Sequence, residues 1–331
     1  MKKKAAILVL VVVVCISVLL LPLEVWESVN SNVHKMASSM HKAGAIPQTS
    51  NLHKQIQAQK KESHDIVPPE RQARVDKIDG NDNSPLKYIR NEGLVVLPSK
   101  GEIERMSAEA AFRTYHSYLD NIDTVCHRKL RMGNIGDGGW EICDDKEYRP
   151  VKPCIVYSFG INGDFSFDDD TAKSYECDIF SFDPSMKQAS HQRSKHVRFL
   201  KIGISGTDKR NGAWELHTLR SFKKMLNHTG KVIDVLKADV ESAEWPSLPE
   251  MMSSGELFKV KQLLIEYHGG CGNRDSCTKT LKILKDIHDV GFRKFYVHKN
   301  PACGFRSILF PVIRTLCYEI HYVNINHNVR S

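Results

Sequence analysis

The chain has 331 residues, of which 41% are hydrophobic and 26% are charged, and its formal net charge is +8. This length suits one large domain or two small ones, and the composition is ordinary for a globular protein. The basic residues are spread along the chain without a dense Lys/Arg block, which argues against a dedicated nucleic-acid-binding protein.

The N-terminus has the pattern of a membrane anchor. Lys2 to Lys4 precede an uncharged apolar run, Ala5 to Leu23. Its 19 residues approach the ~20 that a helix needs to cross a hydrocarbon core. Lysines before the run and glutamates after it favour a cytoplasmic N-terminus. We therefore predict a cytoplasmic tail at 1–4, a transmembrane signal anchor at 5–23 and a single-pass type II membrane protein.

The alternative interpretation of this segment is a cleaved signal peptide. Such a peptide has a shorter apolar core, of about 7–15 residues, before a small-x-small cleavage site. No such site occurs at Pro22 to Trp26. Both interpretations place the rest of the chain in the lumen of the endoplasmic reticulum or Golgi, or outside the cell.

The segment 24–98 has few apolar residues and several prolines, which is typical of a flexible stem. Eight cysteines follow the anchor, and an even number in a non-cytosolic domain indicates disulfides: Cys126, Cys143, Cys154, Cys177, Cys271, Cys277, Cys303 and Cys317. Eight cysteines allow 105 pairings. The short spacings Cys271–Cys277 and Cys143–Cys154 are candidate local pairs, and Asn227 begins the one glycosylation sequon.

From about residue 99 to 331, apolar runs alternate with helical patterns. The predicted strands are Cys154–Phe159, Cys177–Phe182, Val197–Ile204, Val232–Ala238, Gln262–Tyr267 and Phe292–Val297, with Ile308–Val312 and Tyr318–Asn324 as candidates to close the sheet. Helices are predicted near Ala111–Ile122 and at Ser276–Val290. This alternation predicts a doubly wound, mostly parallel α/β sheet, in which ligands bind beyond the carboxyl ends of the strands.

Two features at these strand ends suit a nucleoside ligand. Gly160-Ile161-Asn162-Gly163 follows the first strand, and glycines allow a tight turn close to a ligand. Asp183 ends the second strand, 20 residues beyond Gly163, where a carboxylate can accept ribose hydroxyl hydrogens. A plain turn at the glycines and an Asx-turn at Asp183 are the structural alternatives.

The fourth strand continues as Asp234-Val235-Leu236-Lys237-Ala238-Asp239-Val240-Glu241-Ser242-Ala243-Glu244. This segment resembles the D-x-L-K-x-D-x-E-G-x-E motif of FkbM-type methyltransferases, with Ser242 in place of glycine. The segment from Arg131 to Trp140 resembles the R-x-G…D-G-G-aromatic entry segment of animal relatives, and Tyr318–Asn324 resembles their last strand. The chain is thus similar to the methyltransferase-like protein 24 family over roughly residues 106–324.

The resemblance implies a Rossmann-like class I methyltransferase fold, with a seven-stranded sheet whose last strand is antiparallel, and S-adenosylmethionine as cofactor. Gly160, Asn162 and Gly163 would border its methionine part and Asp183 its ribose. Ser158 departs from the family, since many members have an acidic residue there.

Methyl transfer to a hydroxyl requires alignment of the reacting atoms and removal of a proton. The catalytic candidates are Asp239, Glu241, Glu266 and His268, because they follow the fourth and fifth strands. Structural roles are the alternative: Glu241 would favour a helix N-terminus, and His268 would pack a loop. Oxygens of Asp239, Glu241 and Glu266 would suit a divalent metal, but no ligand spacing predicts one.

We therefore predict an O-methyltransferase of the secretory pathway, whose acceptor is a small molecule, a glycan, a lipid or a protein side chain. One rival is a catalytically inactive binding module with this fold. The other is a glycosyltransferase, whose Asp-x-Asp metal motif could lie only at Asp144-Asp145 or at Asp168–Asp170. We interpret the latter run as a solvated acidic loop.

Overall fold

A computed structural model describes residues 96–307 and 313–327. The predicted tail and anchor, nearly all of the stem and the candidate strand Ile308–Val312 lie outside the described residues. Within the part of the chain that is described, no helix combines the length and apolar character needed to span a membrane.

The described residues form six α-helices and fifteen strands. The helices are α1 Lys100–Glu104, α2 Ala108–Leu119, α3 Ser166–Tyr175, α4 Leu219–Met225, α5 Glu244–Ser253 and α6 Arg274–Val290. The strands are β1 Lys129–Met132, β2 Trp140–Cys143, β3 Ile155–Phe159, β4 Asp178–Phe182, β5 His191–Gln192, β6 Val197–Leu200, β7 Gly203–Ile204, β8 Lys209–Asn211, β9 Trp214–His217, β10 Ile233–Ala238, β11 Val260–His268, β12 Phe292–Lys299, β13 Gly304–Arg306, β14 Ile313–Thr315 and β15 Cys317–Asn324.

The central sheet has the strand order β12-β15-β11-β10-β3-β4-β6-β5. Strands β11, β10, β3, β4 and β6 are parallel to one another, whereas β15 is antiparallel to both β11 and β12. This confirms the predicted α/β sheet with an antiparallel last strand. The predicted number of seven was one too low, because the two-residue strand β5 pairs with the β6 edge.

Alternate side chains of the strands point to two hydrophobic cores. On one face, Tyr157 of β3 packs with side chains from α2, α4, α5 and α6. On the other face, Val156 packs with Phe167 of α3 and Trp140 of the β1–β2 hairpin. A strand buried on both faces therefore appears in the sequence as a continuous apolar run.

Helix α6 shows how local sequence defines an element. Asn273 caps its N-terminus by accepting a hydrogen bond from Ser276 N–H, and Ser276 completes a capping box. Leu281, Leu284 and Ile287 are buried along one side. Gly291, with φ of 122°, ends the helix in a conformation that side chains disfavour.

The predicted strand Val197–Ile204 is wrong in one respect. The central strand β6 ends at Leu200, and Gly203–Ile204 belongs to a second sheet with the order β7-β9-β8. The reason is close packing at Gly203, where a Cβ atom would lie 2.7 Å from atoms of Pro184 and Leu216. The turn between β8 and β9 is formed by Gly212 and Ala213, and a glycine at the first position of a two-residue turn is a hairpin signal that the predicted elements leave out.

All eight cysteines of the domain are paired in the structure. The bonds join Cys126 to Cys143, Cys154 to Cys177, Cys271 to Cys277, and Cys303 to Cys317. The candidate pair Cys271–Cys277 is therefore present, whereas Cys143–Cys154 is not. Sequence spacing failed there because Cys143 ends β2 and faces Cys126, while Cys154 precedes β3 and faces the end of α3.

Candidate functional site

A cavity of about 510 Å³ lies at the carboxyl ends of β3, β4 and β10. This is the position at which doubly wound sheets bind their ligands. The second sheet forms the opposite wall. The polar side chains among the lining residues are Asn162, Asp183, Ser185, Ser205, Lys209, Asn211, Asp239 and Glu241.

The glycine loop follows β3 and borders this cavity. Gly160 has φ of 76°, and a Cβ atom there would lie 1.6 Å from the Asp239 carbonyl oxygen, so the position requires glycine. Gly160 and Asn162 line the cavity. Gly163 does not belong to the lining, and a Cβ atom there would meet open space. The structure therefore brings two of the three predicted loop residues to the cavity.

Asp183 stands at the cavity wall, as predicted, and its carboxylate holds the glycine loop. Oδ2 accepts hydrogen bonds from the backbone N–H groups of Ile161 (3.0 Å) and Asn162 (2.8 Å). Oδ1 accepts from the N–H (2.8 Å) and the hydroxyl (2.6 Å) of Ser185. The hydroxyl of Ser185 is the one of these four donors that can rotate away and leave an acceptor position for a ligand.

Lys237 holds the same loop through two hydrogen bonds. Its ammonium group donates hydrogen bonds to the carbonyl oxygens of Phe159 (3.3 Å) and Gly160 (2.5 Å). It is 94% buried, and it lies 5.3 Å from the centre of the Trp140 ring. The lysine of the motif after β10 therefore has a structural role.

Ser158 is fully buried and is not part of the cavity lining. A carboxylate does lie in the core near the sheet, that of Asp168 of α3, but it is not part of the cavity lining either. Asp168 is 1% exposed and accepts a hydrogen bond from Ser181. Burial raises its pKa to about 6. The interpretation of Asp168–Asp170 as a solvated loop is therefore wrong, because these residues begin a helix that packs on the sheet.

The other acidic candidates also have structural partners. Asp144 pairs with Arg128 and accepts a hydrogen bond from the Tyr175 hydroxyl. Asp169 pairs with Arg193. Asp234 accepts a hydrogen bond from Ile155 N–H at the opposite end of the sheet. Neither Asp-x-Asp candidate therefore presents free carboxylates to the cavity, which removes the main sequence argument for a glycosyltransferase.

The segment after β10 turns sharply at the cavity. Glu241 (φ 51°) and Ser242 (φ 77°) both have left-handed backbone conformations, which cost energy for residues other than glycine. The turn directs Asp239 and Glu241 into the cavity wall and starts α5 at Glu244. Ser242 therefore keeps the backbone conformation for which the family-like motif has glycine.

The four predicted catalytic residues meet around the His268 ring. Nε2 lies 3.7 Å from Asp239 Oδ1, 3.6 Å from Glu241 Oε2 and 3.7 Å from Glu266 Oε2. Nδ1 lies 3.4 Å from Oε1 of Glu244, which also accepts the backbone N–H of His268 at 2.6 Å. We call these five residues the His268 cluster. Glu266 and His268 lie behind Asp239 rather than in the cavity lining.

Burial and neighbouring charges shift the pKa values of His268 and Glu266. Burial alone would lower the pKa of His268, but the carboxylates of Glu244, Glu266 and Asp239 outweigh it and raise the value to about 9. Burial and the charge of Asp239 raise the pKa of Glu266 to about 7. An imidazole that stays protonated at neutral pH is a poor general base. Asp239, in contrast, is a predicted candidate whose carboxylate faces the cavity.

Several cavity residues were missed from the sequence. Lys209, Asn211 and Trp214 reach the cavity from the second sheet, and Ser205 from the loop between β7 and β8. Their position depends on the split of the predicted third strand. Gly212, between the short segments Lys209–Asn211 and Trp214–His217, is the signal that would have revealed this hairpin.

The comparisons with known proteins agree with this arrangement. A family model described as a methyltransferase domain matches residues 98–311. The chain is 28% identical over 204 residues to a Homo sapiens protein named "Probable methyltransferase-like protein 24", a match that covers 56% of this chain and 55% of that protein. It is 25% identical over 251 residues to the Rattus norvegicus protein of the same name, covering 69% and 68%. The human match thus spans only about half of that relative's length.

Proposed function

Because the chain belongs to the methyltransferase-domain family, we propose that it is an S-adenosylmethionine-dependent methyltransferase that acts on a hydroxyl acceptor. The observation that supports this most directly is the cavity at the carboxyl ends of β3, β4 and β10. It contains a glycine loop, an acidic strand end and, at its rim, a carboxylate that can accept a proton.

The cavity fits the proposed cofactor in size and chemistry. Its volume of about 510 Å³ is within the range of small-molecule sites. Gly160 and Asn162 would hold the methionine part, and Asp183 the ribose through the acceptor position that Ser185 can release. The exposed face of Trp214, which is 44% exposed, would stack on a flat base. When bound, the cofactor would supply an electrophilic methyl group.

The residues of the chain then align the acceptor and remove its proton. Asp239 is held against the end of β3, since its N–H donates to the Phe159 carbonyl oxygen at 3.1 Å. Its carboxylate is 29% exposed at the cavity rim, where it would accept the proton of an acceptor hydroxyl. The negative charges of Asp239 and Glu241 would also favour a positively charged sulfonium nearby.

We also propose that the protein is a single-pass type II membrane protein whose catalytic domain lies in the secretory pathway. Four disulfides in the described residues suit an oxidising compartment. Asn227 of the sequon is exposed after α4, which would allow glycosylation. To test this placement, the protein is isolated from secretory membranes and treated with a glycosidase. Its mass should decrease, and Asn227→Gln should show no such decrease. An unmodified protein would contradict the Asn227 assignment, and a protease-accessible domain in sealed microsomes would contradict the luminal placement.

Calorimetry of the full-length chain tests the cofactor assignment. Saturable binding of S-adenosylmethionine is expected, and Asp183→Ala should abolish it because the loop loses its acceptor. Asp178→Ala is the matched control, since Asp178 begins the same strand at the opposite end of the sheet and its side chain is 68% exposed. Binding of a nucleotide sugar alone would refute the proposal. Binding of neither ligand would favour the inactive module.

Transfer of a labelled methyl group to membrane extracts tests the acceptor class. Label in glycans, lipids or small molecules that resists mild base indicates a hydroxyl converted to an ether. Base-labile label, which indicates a carboxyl ester, or label on nitrogen would contradict the hydroxyl assignment.

A further inference from the structure

Nε2 of His268 is too far from the three carboxylates that face it for hydrogen bonds. Nε2 of His268 is 3.6 to 3.7 Å from a carboxylate oxygen of Asp239, of Glu241 and of Glu266. Asp239, Glu241 and His268 each have one potential metal-ligand atom, and these three atoms lie within 4.8 Å of one another. Hydrogen-bonded groups would instead close to about 2.7–3.2 Å.

This spacing is the one that ligands adopt around a small cation. Nitrogen and oxygen ligands lie about 2.0–2.2 Å from a divalent transition metal, so neighbouring ligands in a tetrahedral arrangement are separated by roughly 3.3–3.6 Å. The distances between His268 and the carboxylates therefore leave room for one ion among them.

A buried carboxylate points to a ligand independently of this spacing. Glu244 is 1% exposed, and its Oε2 has no hydrogen-bond partner in the described structure. Its Oε1 lies 3.4 Å from Nδ1 of His268, the position of the carboxylate that orients a metal-bound imidazole.

We propose that Asp239, Glu241 and His268 bind one divalent transition-metal ion, with Glu244 as the carboxylate that orients the imidazole. The imidazole would bind through Nε2 in its neutral form, so that binding releases its proton to solvent. The combination of imidazole and carboxylates favours an ion such as Mn²⁺ or Zn²⁺ over Mg²⁺ or Ca²⁺, which prefer oxygen ligands alone. Cys317, which lies near Glu266 and His268, cannot be a thiolate ligand because it is bonded to Cys303.

The site opens toward the cavity. Asp239 and Glu241 belong to the cavity lining, whereas Glu266 and Glu244 are buried behind His268. An ion held by Asp239, Glu241 and His268 would have its remaining coordination positions on the cavity side. There an oxygen of a second molecule could coordinate the ion and be polarised. The metal would therefore add a binding position for an oxygen-containing acceptor. Because Oδ1 of Asp239 is the oxygen that faces His268, Oδ2 would remain to accept the proton of that acceptor.

The test is a titration of the metal-stripped, full-length chain with Mn²⁺, in which the signal of free Mn²⁺ is followed by electron paramagnetic resonance. One saturable site is expected, and competition by Zn²⁺ should release the Mn²⁺. His268→Gln should weaken the binding at least about tenfold, and Glu244→Gln should weaken it by about 10–100-fold although it is not a ligand. His298→Gln is the matched control, since His298 pairs with Glu319 outside the cluster.

Glu241→Gln keeps the test decisive if buried variants fail to fold, because the Glu241 side chain is 86% exposed. It should fold normally and still bind Mn²⁺ more weakly than the unchanged chain. Absence of saturable binding below about 1 mM would overturn the proposal. Equal binding by the unchanged chain, Glu241→Gln and His268→Gln would also overturn it, since the ion would then be adventitious. Because no cofactor is present, the result does not depend on S-adenosylmethionine binding.

Discussion

Replacement of Gly160 by alanine tests how the cavity is built. Alanine in a left-handed conformation costs about 1–2 kcal/mol. At Gly160 the new Cβ atom would also lie 1.6 Å from the Asp239 carbonyl oxygen, where 3.4 Å is an ordinary contact. The backbone at Asp239 must therefore move by roughly 1.8 Å, and overpacking of this kind adds about 1–3 kcal/mol.

Gly163→Ala is the matched control. Gly163 has φ of 83°, similar to the 76° of Gly160, but its Cβ atom would meet nothing within 4 Å. Both variants should therefore be destabilised, and Gly160→Ala more so by about 2 kcal/mol. For a domain of this size that is roughly 4–8 °C in the midpoint of thermal unfolding.

Two measurements on the full-length chain decide this prediction. Thermal unfolding gives the difference in stability, and calorimetry gives the affinity for S-adenosylmethionine, which Gly160→Ala alone should abolish. Equal melting temperatures for the two variants would refute the argument from close packing, whatever the result for the cofactor. A more stable Gly160→Ala variant would show that this backbone contact is absent in solution.

Three further predictions concern stability and binding. Burial lowers the pKa of His116 and of His288 to about 4, so the unfolded chain binds more protons between about pH 4 and 6.5, and stability should be lost as the pH falls through this range. In urea unfolding, His116→Gln should reduce the slope of the unfolding free energy against pH by up to about 1.4 kcal/mol per pH unit. An unchanged slope would contradict the assignment of this dependence to His116. Removing the Cys154–Cys177 disulfide should cost about 1 kcal/mol more than removing Cys271–Cys277, because the closed loop is longer (sequence separation 23 against 6), and equal losses in urea unfolding would count against the loop-entropy account. Trp214→Ala should weaken cofactor binding about tenfold in calorimetry with little change in melting temperature, since the side chain is 44% exposed, and unchanged affinity would exclude stacking.

Most of the central sheet could be predicted from the chain because its signals are local. The strands that contain Val156, Leu236 and Leu264 are short apolar runs between polar segments, and the parallel sheet buries them on both faces. Gly291 marks the end of α6 because glycine can adopt the positive φ that this position requires. The third strand failed because its end depends on the contact of Gly203 with Pro184, which no local pattern encodes.

The sequence predicted which residues belong to the candidate site, but not how they are arranged. The motif after β10 and the end of β11 supplied Asp239 and His268 as candidates, since parallel strands end at the same edge of a sheet. The sequence did not reveal that Lys237 holds the glycine loop, or that Asp168 is buried against Ser181. Those contacts join residues far apart in the sequence, and their distances follow from strand order and register.

The sequence by itself determined the α/β class, the positions of the glycine loop and acidic strand ends, and the resemblance to methyltransferases. It also carries the prediction of a membrane anchor, which lies outside the described residues. Only the tertiary structure decided the disulfide pairs, the second sheet that walls the cavity and the meeting of three carboxylates at one edge of His268. The physical reason is that periodicity and turn residues act over a few positions, whereas a site is formed where distant strand ends are brought within a few ångströms.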